Sequence, residues 1–261
     1  MAPGSLMLLR HGESVANARS LFTGVLNVGL TPAGERDCEL AGARLRHVGF
    51  TPDLIITSWL VRGWLTAELV AEEIGYRGTV ERHWELNERN YGDLSGLQKS
   101  EVRERHGQEL FLYWRRSFAG RPPPLPAATV ELWRSLPPFD RLPPKALVPT
   151  ESLADVVERI RPWWQGTLMP LLTAGRDVLL VAHGNSLRAL CAAIDTLDER
   201  EVSALNLPNA RPLLYRFQAS RPTAAHGAAR ADLVPLVRGG RYLDPEEARR
   251  EAAIIAAQGG T

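Results

Sequence analysis

Short apolar runs alternate along the chain with longer segments of helical spacing. Thr31 and Pro32 provide an N-cap and a first-turn proline for a helix that should end at Gly49. Residues 59–75 and 186–197 also have helical spacing. The apolar runs predict buried strands at residues 5–9, 52–58, 79–84, 177–183 and 212–217. This alternation predicts an α/β fold with a mainly parallel central sheet and helices on both faces.

Two stretches interrupt the alternation, and a helix is predicted near the C-terminus. Residues 119–149 contain nine of the nineteen prolines. Because proline lacks an N–H and clashes inside helices, we expect this insert to contain no helix and no central strand. It should form either an ordered lid over a site or a flexible insert. Residues 219–232 are small and polar, which predicts a surface loop, whereas Asp244 and Pro245 predict a helix to about residue 257.

Composition and charge narrow the possible classes of function. Of the 261 residues, 44% are hydrophobic and 23% charged, as in ordinary globular proteins. The 31 basic and 30 acidic residues leave a formal net charge of +1. We therefore expect no nucleic-acid partner and no membrane partner, since both need a basic excess on one face. No apolar run approaches the ~20 residues of a membrane span.

The cysteines indicate the cellular compartment. Cys38 and Cys191 each lie in an apolar segment of helical spacing, far apart in the sequence. This is typical of buried small hydrophobic residues in a reducing compartment, so we expect a cytoplasmic protein; a disulfide is possible but is not required.

Two of the predicted strands run into nearly the same polar sequence. "RHGES" follows the first strand at residues 10–14, and "AHGNS" ends the fourth at residues 182–186. Ligands bind outside the carboxyl ends of parallel strands, and a following helix N-terminus attracts anions. Arginine suits phosphate oxygens; Arg10 and Arg188 flank the two histidines, and Arg62 lies just past the end of the second predicted strand. The pattern predicts a phosphoryl pocket in which one imidazole is the nucleophile and the other stabilises the transferring charge.

Other kinds of site are not indicated. The remaining histidines lie apart from each other and from paired carboxylates or thiols, so we expect no metal. The sequence also has no glycine-rich nucleotide loop and no Gly-x-Ser-x-Gly motif.

The sequence "RHGES" resembles the signature of the histidine phosphatase superfamily. Longer motifs, in the same order along the chain, are similar to those of 2,3-bisphosphoglycerate-dependent phosphoglycerate mutases: "LNERNYGDLSGLQKSE" at 86–101, "WRRSF" at 114–118, "TESLADVVERIRPWW" at 150–164, "AHGNSLRAL" at 182–190 and "LNLPNARPLLY" at 205–215. The resemblance covers nearly the whole chain. It implies one mutase-like domain over residues 1–261, a small phosphorylated sugar-acid substrate, 2,3-bisphosphoglycerate as primer, and a homo-oligomer (dimer or tetramer).

The resemblance also implies roles for individual residues. His11 matches the nucleophile that becomes phosphohistidine, Glu88 the general acid and base, and His183 the second active-site histidine. Arg10 and Arg62 match residues that assist catalysis. The phosphate contacts match Arg10, Asn17, Arg62, Gly184 and Asn185. Contacts to the rest of the bisphosphoglycerate match Thr23, Gly24, Arg89, Tyr91, Lys99, Arg115 and Arg116.

Three functions are compatible with these residues. The first is an isomerase that interconverts 2-phosphoglycerate and 3-phosphoglycerate through phosphohistidine. The second is a histidine phosphatase that hydrolyses small phosphomonoesters with the same His11 and Glu88; it would not need Lys99, Arg115 or Arg116. The third is a non-catalytic sugar-phosphate-binding protein. The presence of all the expected chemical groups argues against it.

The chain departs from the mutase pattern at several places, among them the three that follow. Asn90 stands between matched contacts where the family usually has histidine, and we expect it to alter the pocket. Residues 120–149 lack the family's usual tyrosine and Asp-Pro pattern. The closing segment 258–261, "QGGT", lacks the usual lysines, so we expect it to cover the site less often and to allow more hydrolysis.

Overall fold

The computed structural model describes residues 2–219 and 233–257. Within them the strands are Leu6–Arg10 (β1), Leu54–Thr57 (β2), Val80–Arg82 (β3), Val178–Ala182 (β4), Leu213–Tyr215 (β5), Phe217–Ala219 (β6), Leu233–Pro235 (β7) and Arg241–Tyr242 (β8). The expected closing segment 258–261, and all but the first residue of the loop expected at 219–232, lie outside the described residues.

A helix lies at each position where the spacing predicted one, and the structure contains further helices. The helices are Val15–Ala18 (α1), Pro32–His47 (α2), Val61–Glu73 (α3), Lys99–Arg116 (α4), Ala127–Arg134 (α5), Leu153–Trp163 (α6), Met169–Thr173 (α7), Gly184–Asp195 (α8), Glu199–Ala204 (α9) and Pro245–Ala257 (α10). The predicted start of α2 is confirmed, because the side chain of Thr31 accepts a hydrogen bond from Gly34 N. None of the helices in the described residues is long and apolar enough to cross a membrane.

The central sheet has the strand order β3-β2-β4-β1-β5-β8. β3, β2, β4 and β1 run parallel, whereas β5 is antiparallel to both of its neighbours. β1 and β4 are in register from Leu6 opposite Val178 to Arg10 opposite Ala182. The mainly parallel sheet is therefore confirmed, and the residues that follow Arg10 and Ala182 emerge next to each other.

Side chains of β1 alternate between two apolar cores. Leu6 and Leu8 pack in the cluster that contains the buried residues of α6 and α8, whereas Met7 and Leu9 pack in the cluster of α2 and α3. Successive side chains of a strand point to opposite faces, so a strand covered on both faces is a continuous apolar run. The prediction of helices on both faces is confirmed.

The strand predicted at residues 212–217 is divided between two sheets. β5 pairs with β1, whereas β6 pairs with β7 in a separate two-stranded sheet. Arg216, between them, is exposed, and its carbonyl accepts a hydrogen bond from Leu236 N at 2.8 Å. Tyr215 and Phe217 are both buried with their rings 6.2 Å apart, so the apolar pattern continues across the break.

The proline-rich insert contains a helix, so the prediction that residues 119–149 form none is wrong. α5 occupies a proline-free window directly after Pro126, which stands at the N-cap, where no intrahelical N–H bond is lost. Farther along, Phe139 and Leu147 pack against Val25 and Leu60. The insert is an ordered segment that covers the loop around residue 25.

Both cysteines are buried, as predicted, and both are free thiols. Burial raises the pKa of Cys38 to about 11 and that of Cys191 to about 12. The two thiols are therefore neutral packing groups at physiological pH.

Candidate active site

His11 and His183 lie side by side at the carboxyl ends of β1 and β4. The main-chain N–H of His11 donates to Ala182 O at 3.0 Å, and the two ring centroids are 5.0 Å apart. His11 is 2% exposed and His183 is fully buried. Because the strands are in register, the two imidazoles can act on the same bound group.

The hydrogen bonds of His11 leave one ring nitrogen able to attack phosphorus. Nδ1 lies 2.6 Å from Gly12 O, and because a carbonyl only accepts, Nδ1 carries the proton. Nε2 therefore has the lone pair, and Arg62 Nε donates to it at 3.3 Å. Burial, followed by the charges of Arg62 and Arg10, holds the pKa of His11 well below its usual value. At neutral pH His11 is thus an uncharged imidazole, the form that acts as a nucleophile.

His183 is held by Ser58, which is not among the predicted site residues. His183 Nε2 lies 2.7 Å from Ser58 Oγ. Gly63 lies against this pair, since a Cβ there would be 2.6 Å from Ser58 Oγ. Burial first, and then Arg62 and His11, holds the pKa of His183 well below its usual value. The position of Ser58 in the sequence could have indicated that it lies near the site, because it directly follows β2, a third strand whose carboxyl end reaches the site.

Two buried arginines lie beside His11. Arg62 is 1% exposed and donates to the carbonyls of Leu26 and Gly24 at 2.7 and 2.8 Å, so the loop at residues 24–26 holds its guanidinium. Burial lowers the pKa of Arg10, and lowers that of Arg62 to about 10. Both groups are still charged at neutral pH and can bind phosphate oxygens beside the nucleophile.

Glu88 brings a carboxylate to the same place. Its Oε1 accepts hydrogen bonds from Arg89 N at 2.8 Å and from Asn185 N at 3.1 Å. The second donor lies in the first turn of α8, so the helix N-terminus and the loop after β3 hold the carboxylate between them. In this position Glu88 can give and take a proton in the cavity that contains His11.

Lys99 and Arg115 add a second pair of cations from the two ends of α4. A straight helix would hold them about 24 Å apart. Gly107 interrupts the helix with φ +81° and ψ 161°, a conformation open to glycine almost alone. The chain folds back there, so that both cations line one cavity. Burial, with the charges of Arg115 and Arg10, lowers the pKa of Lys99 to about 7.

Most of these groups line one cavity of about 40 Å³, whereas His183 and Ser58 lie outside its wall. Its wall consists of Arg10, His11, Asn17, Leu21, Phe22, Thr23, Gly24, Arg62, Glu88, Tyr91, Lys99, Arg115 and Asn185. Leu21 and Phe22 were not predicted. Phe22 packs edge-on against Tyr91 with 5.1 Å between ring centroids, which makes one side of a strongly cationic cavity apolar.

Comparison with known proteins places this site in a family. Residues 6–228 match the histidine phosphatase superfamily (branch 1). The chain is 42% identical to the 2,3-bisphosphoglycerate-dependent phosphoglycerate mutase of Thermobifida fusca, over 98% of this chain and 99% of the relative. It is 41% identical to the mutase of the same description from Mycobacterium tuberculosis, over 98% of each chain. The chain belongs to the 2,3-bisphosphoglycerate-dependent phosphoglycerate mutase family.

Solved structures share the fold. A mycobacterial glucosyl-3-phosphoglycerate phosphatase in complex with VO3 superposes with a TM-score of 0.63 at 26% identity, over 88% of this chain and 98% of that chain. The native structure of that phosphatase gives a TM-score of 0.65 at 25% identity, over 92% and 100% of the two chains. The predicted α/β fold is therefore one that solved phosphatases also have.

Three of the contacts carried over from the mutase family are not on the cavity wall: Arg89, Arg116 and Gly184. Arg89 donates to three main-chain carbonyls at 2.6–2.8 Å, and Arg116 donates to Asn206 Oδ1 at 3.1 Å. These two arginines therefore join chain segments around the cavity. Their role as direct contacts to bisphosphoglycerate stays a prediction.

Arg188 does not flank the phosphoryl pocket as the sequence pattern suggested. It is fully buried on α8 and donates to Asn185 Oδ1 at 2.9 Å and to Val202 O at 2.7 Å. Asn185 Nδ2 in turn donates to Tyr91 OH at 3.2 Å. Arg188 thus orients a residue of the cavity wall.

Asn90, where the family usually has histidine, lies away from the cavity wall. Its Nδ2 donates to Val148 O at 2.6 Å, and its Oδ1 accepts from Gly92 N at 2.9 Å. The side chain ties the loop after Glu88 to the proline-rich insert, and the expected alteration of the pocket stays a prediction.

A wider cavity of about 380 Å³ adjoins the first and shares four of its residues: Arg10, Asn17, Lys99 and Arg115. α10 contributes Glu251 and Ile254 to its wall. Arg211 holds this helix through ion pairs with Glu251 and with Glu247, the latter at 3.0 Å. The predicted C-terminal helix therefore borders the entrance to the site.

Proposed function

We propose that this chain interconverts 2-phosphoglycerate and 3-phosphoglycerate through a phosphohistidine on His11, primed by 2,3-bisphosphoglycerate and without a metal. The observation that carries the proposal is the double set of cations in one cavity. Arg10 and Arg62 lie beside His11, and Lys99 and Arg115 line the same cavity. One phosphoryl group needs only the first set, whereas a bisphosphorylated sugar acid uses both. The mutase relatives support the same reaction.

The geometry suggests how the phosphoryl group moves. 2,3-Bisphosphoglycerate first leaves a phosphoryl group on His11 Nε2. The free hydroxyl of 3-phosphoglycerate attacks this phosphorus as the P–N bond breaks, and Glu88 takes the proton of that hydroxyl. The bisphosphoglycerate so formed reorients, His11 Nε2 attacks its other phosphorus as that P–O bond breaks, and Glu88 gives its proton to the leaving oxygen, which releases 2-phosphoglycerate. Arg10, Arg62 and the neighbouring His183 stabilise the charge on the transferring group.

Two wider properties belong to the same proposal. Residues 1–261 form one mutase-like domain, and the protein is a homo-oligomer. An outer strand supports the second: within the described residues β3 pairs with β2 on one edge, so its other edge has backbone groups available for pairing.

A phosphomonoester hydrolase is the second candidate, and the structural comparison favours it specifically. The mycobacterial phosphatase with the same fold is named for a larger phosphoglycerate derivative, and the adjoining outer cavity leaves space beside Lys99. In this reaction water, activated by Glu88, would take the phosphoryl group from His11.

One assay separates the two candidates. Purified protein is incubated with 3-phosphoglycerate, with and without 2,3-bisphosphoglycerate, while 2-phosphoglycerate and free phosphate are both followed. A chelator is included, because the described residues offer no group of three metal-ligating side chains. We expect primer-dependent formation of 2-phosphoglycerate in excess of phosphate. Release of phosphate without 2-phosphoglycerate would contradict the isomerase and support the hydrolase.

Anion affinity should depend on pH through Lys99. The free site holds the pKa of Lys99 at about 7, because of burial and then of Arg115 and Arg10. A bound dianion favours the protonated amine, so binding takes up a proton and weakens as pH rises above about 7. We expect the inhibition constant of sulfate, which stays a dianion, to rise between pH 7 and 9.

Two variants test the assignment to this lysine. In Lys99→Met the rise should disappear and sulfate should bind weakly throughout. Lys145→Met is the matched control, since Lys145 is the chain's other lysine and is exposed beside Trp84. An unchanged pH dependence in Lys99→Met would show that another group is titrating.

A further inference from the structure

An ion pair behind the cavity holds the main chain on both sides of Glu88. Residues 85–90 are called here the Glu88 segment. Arg159, on α6, donates to Asn87 O at 2.8 Å and to Glu88 O at 3.4 Å, and it also donates to Glu85 O. One guanidinium therefore fixes three carbonyls of the segment that carries the proposed general acid.

Glu151 completes this support. Its Oε1 accepts from Arg159 Nε at 2.7 Å, and its Oε2 accepts from Asn90 N at 2.9 Å. Its own main chain donates to Asn90 O at 2.9 Å and accepts from Arg89 Nε at 2.8 Å. The side chains of Arg159 and Glu151 are only 12% and 9% exposed, so water competes little for these hydrogen bonds.

The pair is anchored on a capped helix. Ser152 Oγ accepts from Asp155 N at 3.2 Å, and Asp155 Oδ2 accepts from Ser152 N at 2.6 Å, which is a capping box at the start of α6. The apolar face of α6 is buried in the larger of the two cores. The core therefore fixes the position of Arg159, and Arg159 fixes that of the Glu88 segment.

We propose that Arg159 and Glu151 are positioning residues for proton transfer by Glu88, an inference that rests on the proposed function. The Glu88 carboxylate accepts from Arg89 N and Asn185 N, so main-chain positions set its place. A shift of about 1 Å at a reacting group can lower a rate about 100-fold. The planar fork of arginine suits several carbonyls and a carboxylate at once, which lysine cannot match.

The test measures kcat and KM of the isomerase for Arg159→Met, Arg159→Lys and Glu151→Gln, alone and combined with Glu88→Gln. We expect each single variant to lower kcat by about 10- to 100-fold and to change KM less than about twofold. In the Glu88→Gln background the same substitutions should lower kcat no further, because they act through Glu88. Arg161→Met, at an exposed position on the same helix, is the matched control and should keep full activity.

The outcomes separate a positioning role from a structural one. A loss of the same size in both backgrounds, or a rise in KM alone, would overturn the inference. If Arg159→Met does not fold, Glu151→Gln keeps the shape of the carboxylate and carries the test. Absence of isomerase activity in the wild-type protein, or full activity of Glu88→Gln, would instead reject the proposed function itself.

Discussion

The His11→Ala variant is expected to lose isomerase and phosphatase activity together, by at least about 10⁴-fold, as other enzymes do when a covalent nucleophile is removed. The Nδ1–H of His11 donates to Gly12 O, and its Nε2 lone pair is available in the cavity. His183 is not expected to replace it, because His183 is fully buried and does not line the cavity. Both candidate functions need the phosphohistidine, so both activities should disappear.

The intermediate itself can be observed. Wild-type protein incubated with labelled 2,3-bisphosphoglycerate should give an acid-labile, base-stable adduct that peptide mapping places on His11, and His11→Ala should give none. His47→Ala is the matched control, since His47 is exposed at the end of α2. An adduct on serine, cysteine or His183 would refute the assigned nucleophile.

The fold was predictable where burial alone decides the pattern. β1 and β4 are covered on both faces, so each is an uninterrupted apolar run, and the glycine and charge that follow mark its end. The apolar pattern cannot show which sheet a buried strand joins. Tyr215 and Phe217 belong to one apolar run in the sequence, yet they lie in two different sheets. Counting prolines over residues 119–149 hid α5, because prolines cluster on either side of a helical window.

The site was predictable where strand ends or family motifs place a side chain. The shared edge of β1 and β4 brings His11 to His183, as the position of the two His-Gly pairs suggested. The contact between Ser58 and His183 could not be predicted, because the two residues are 125 positions apart in the sequence and no local pattern records such a contact. Lys99 and Arg115 meet only because Gly107 reverses the chain inside α4. The sequence could not show which arginines line the cavity: Arg62 does, whereas Arg188 donates to groups behind the cavity wall.

Glu88→Gln should keep substrate binding but lower kcat by about 10²- to 10⁴-fold, the usual contribution of a positioned general acid and base. The amide oxygen of glutamine can still accept from Arg89 N and Asn185 N, so the loop and α8 should stay in place. What the amide cannot do is give a proton to the leaving oxygen of the glycerate or take one from the attacking hydroxyl.

The measurement is steady-state isomerase kinetics for Glu88→Gln beside Glu85→Gln, the same substitution on the same segment. Glu85 is partly exposed and lines a different cavity, so its variant should keep the wild-type kcat. KM of both variants should stay within about twofold of wild type, because uniform binding is unaffected. A near-normal kcat in Glu88→Gln would mean that another group moves the proton. A raised KM at unchanged kcat would reduce Glu88 to a binding residue, and the proton transfer would then have to be assigned elsewhere in the cavity.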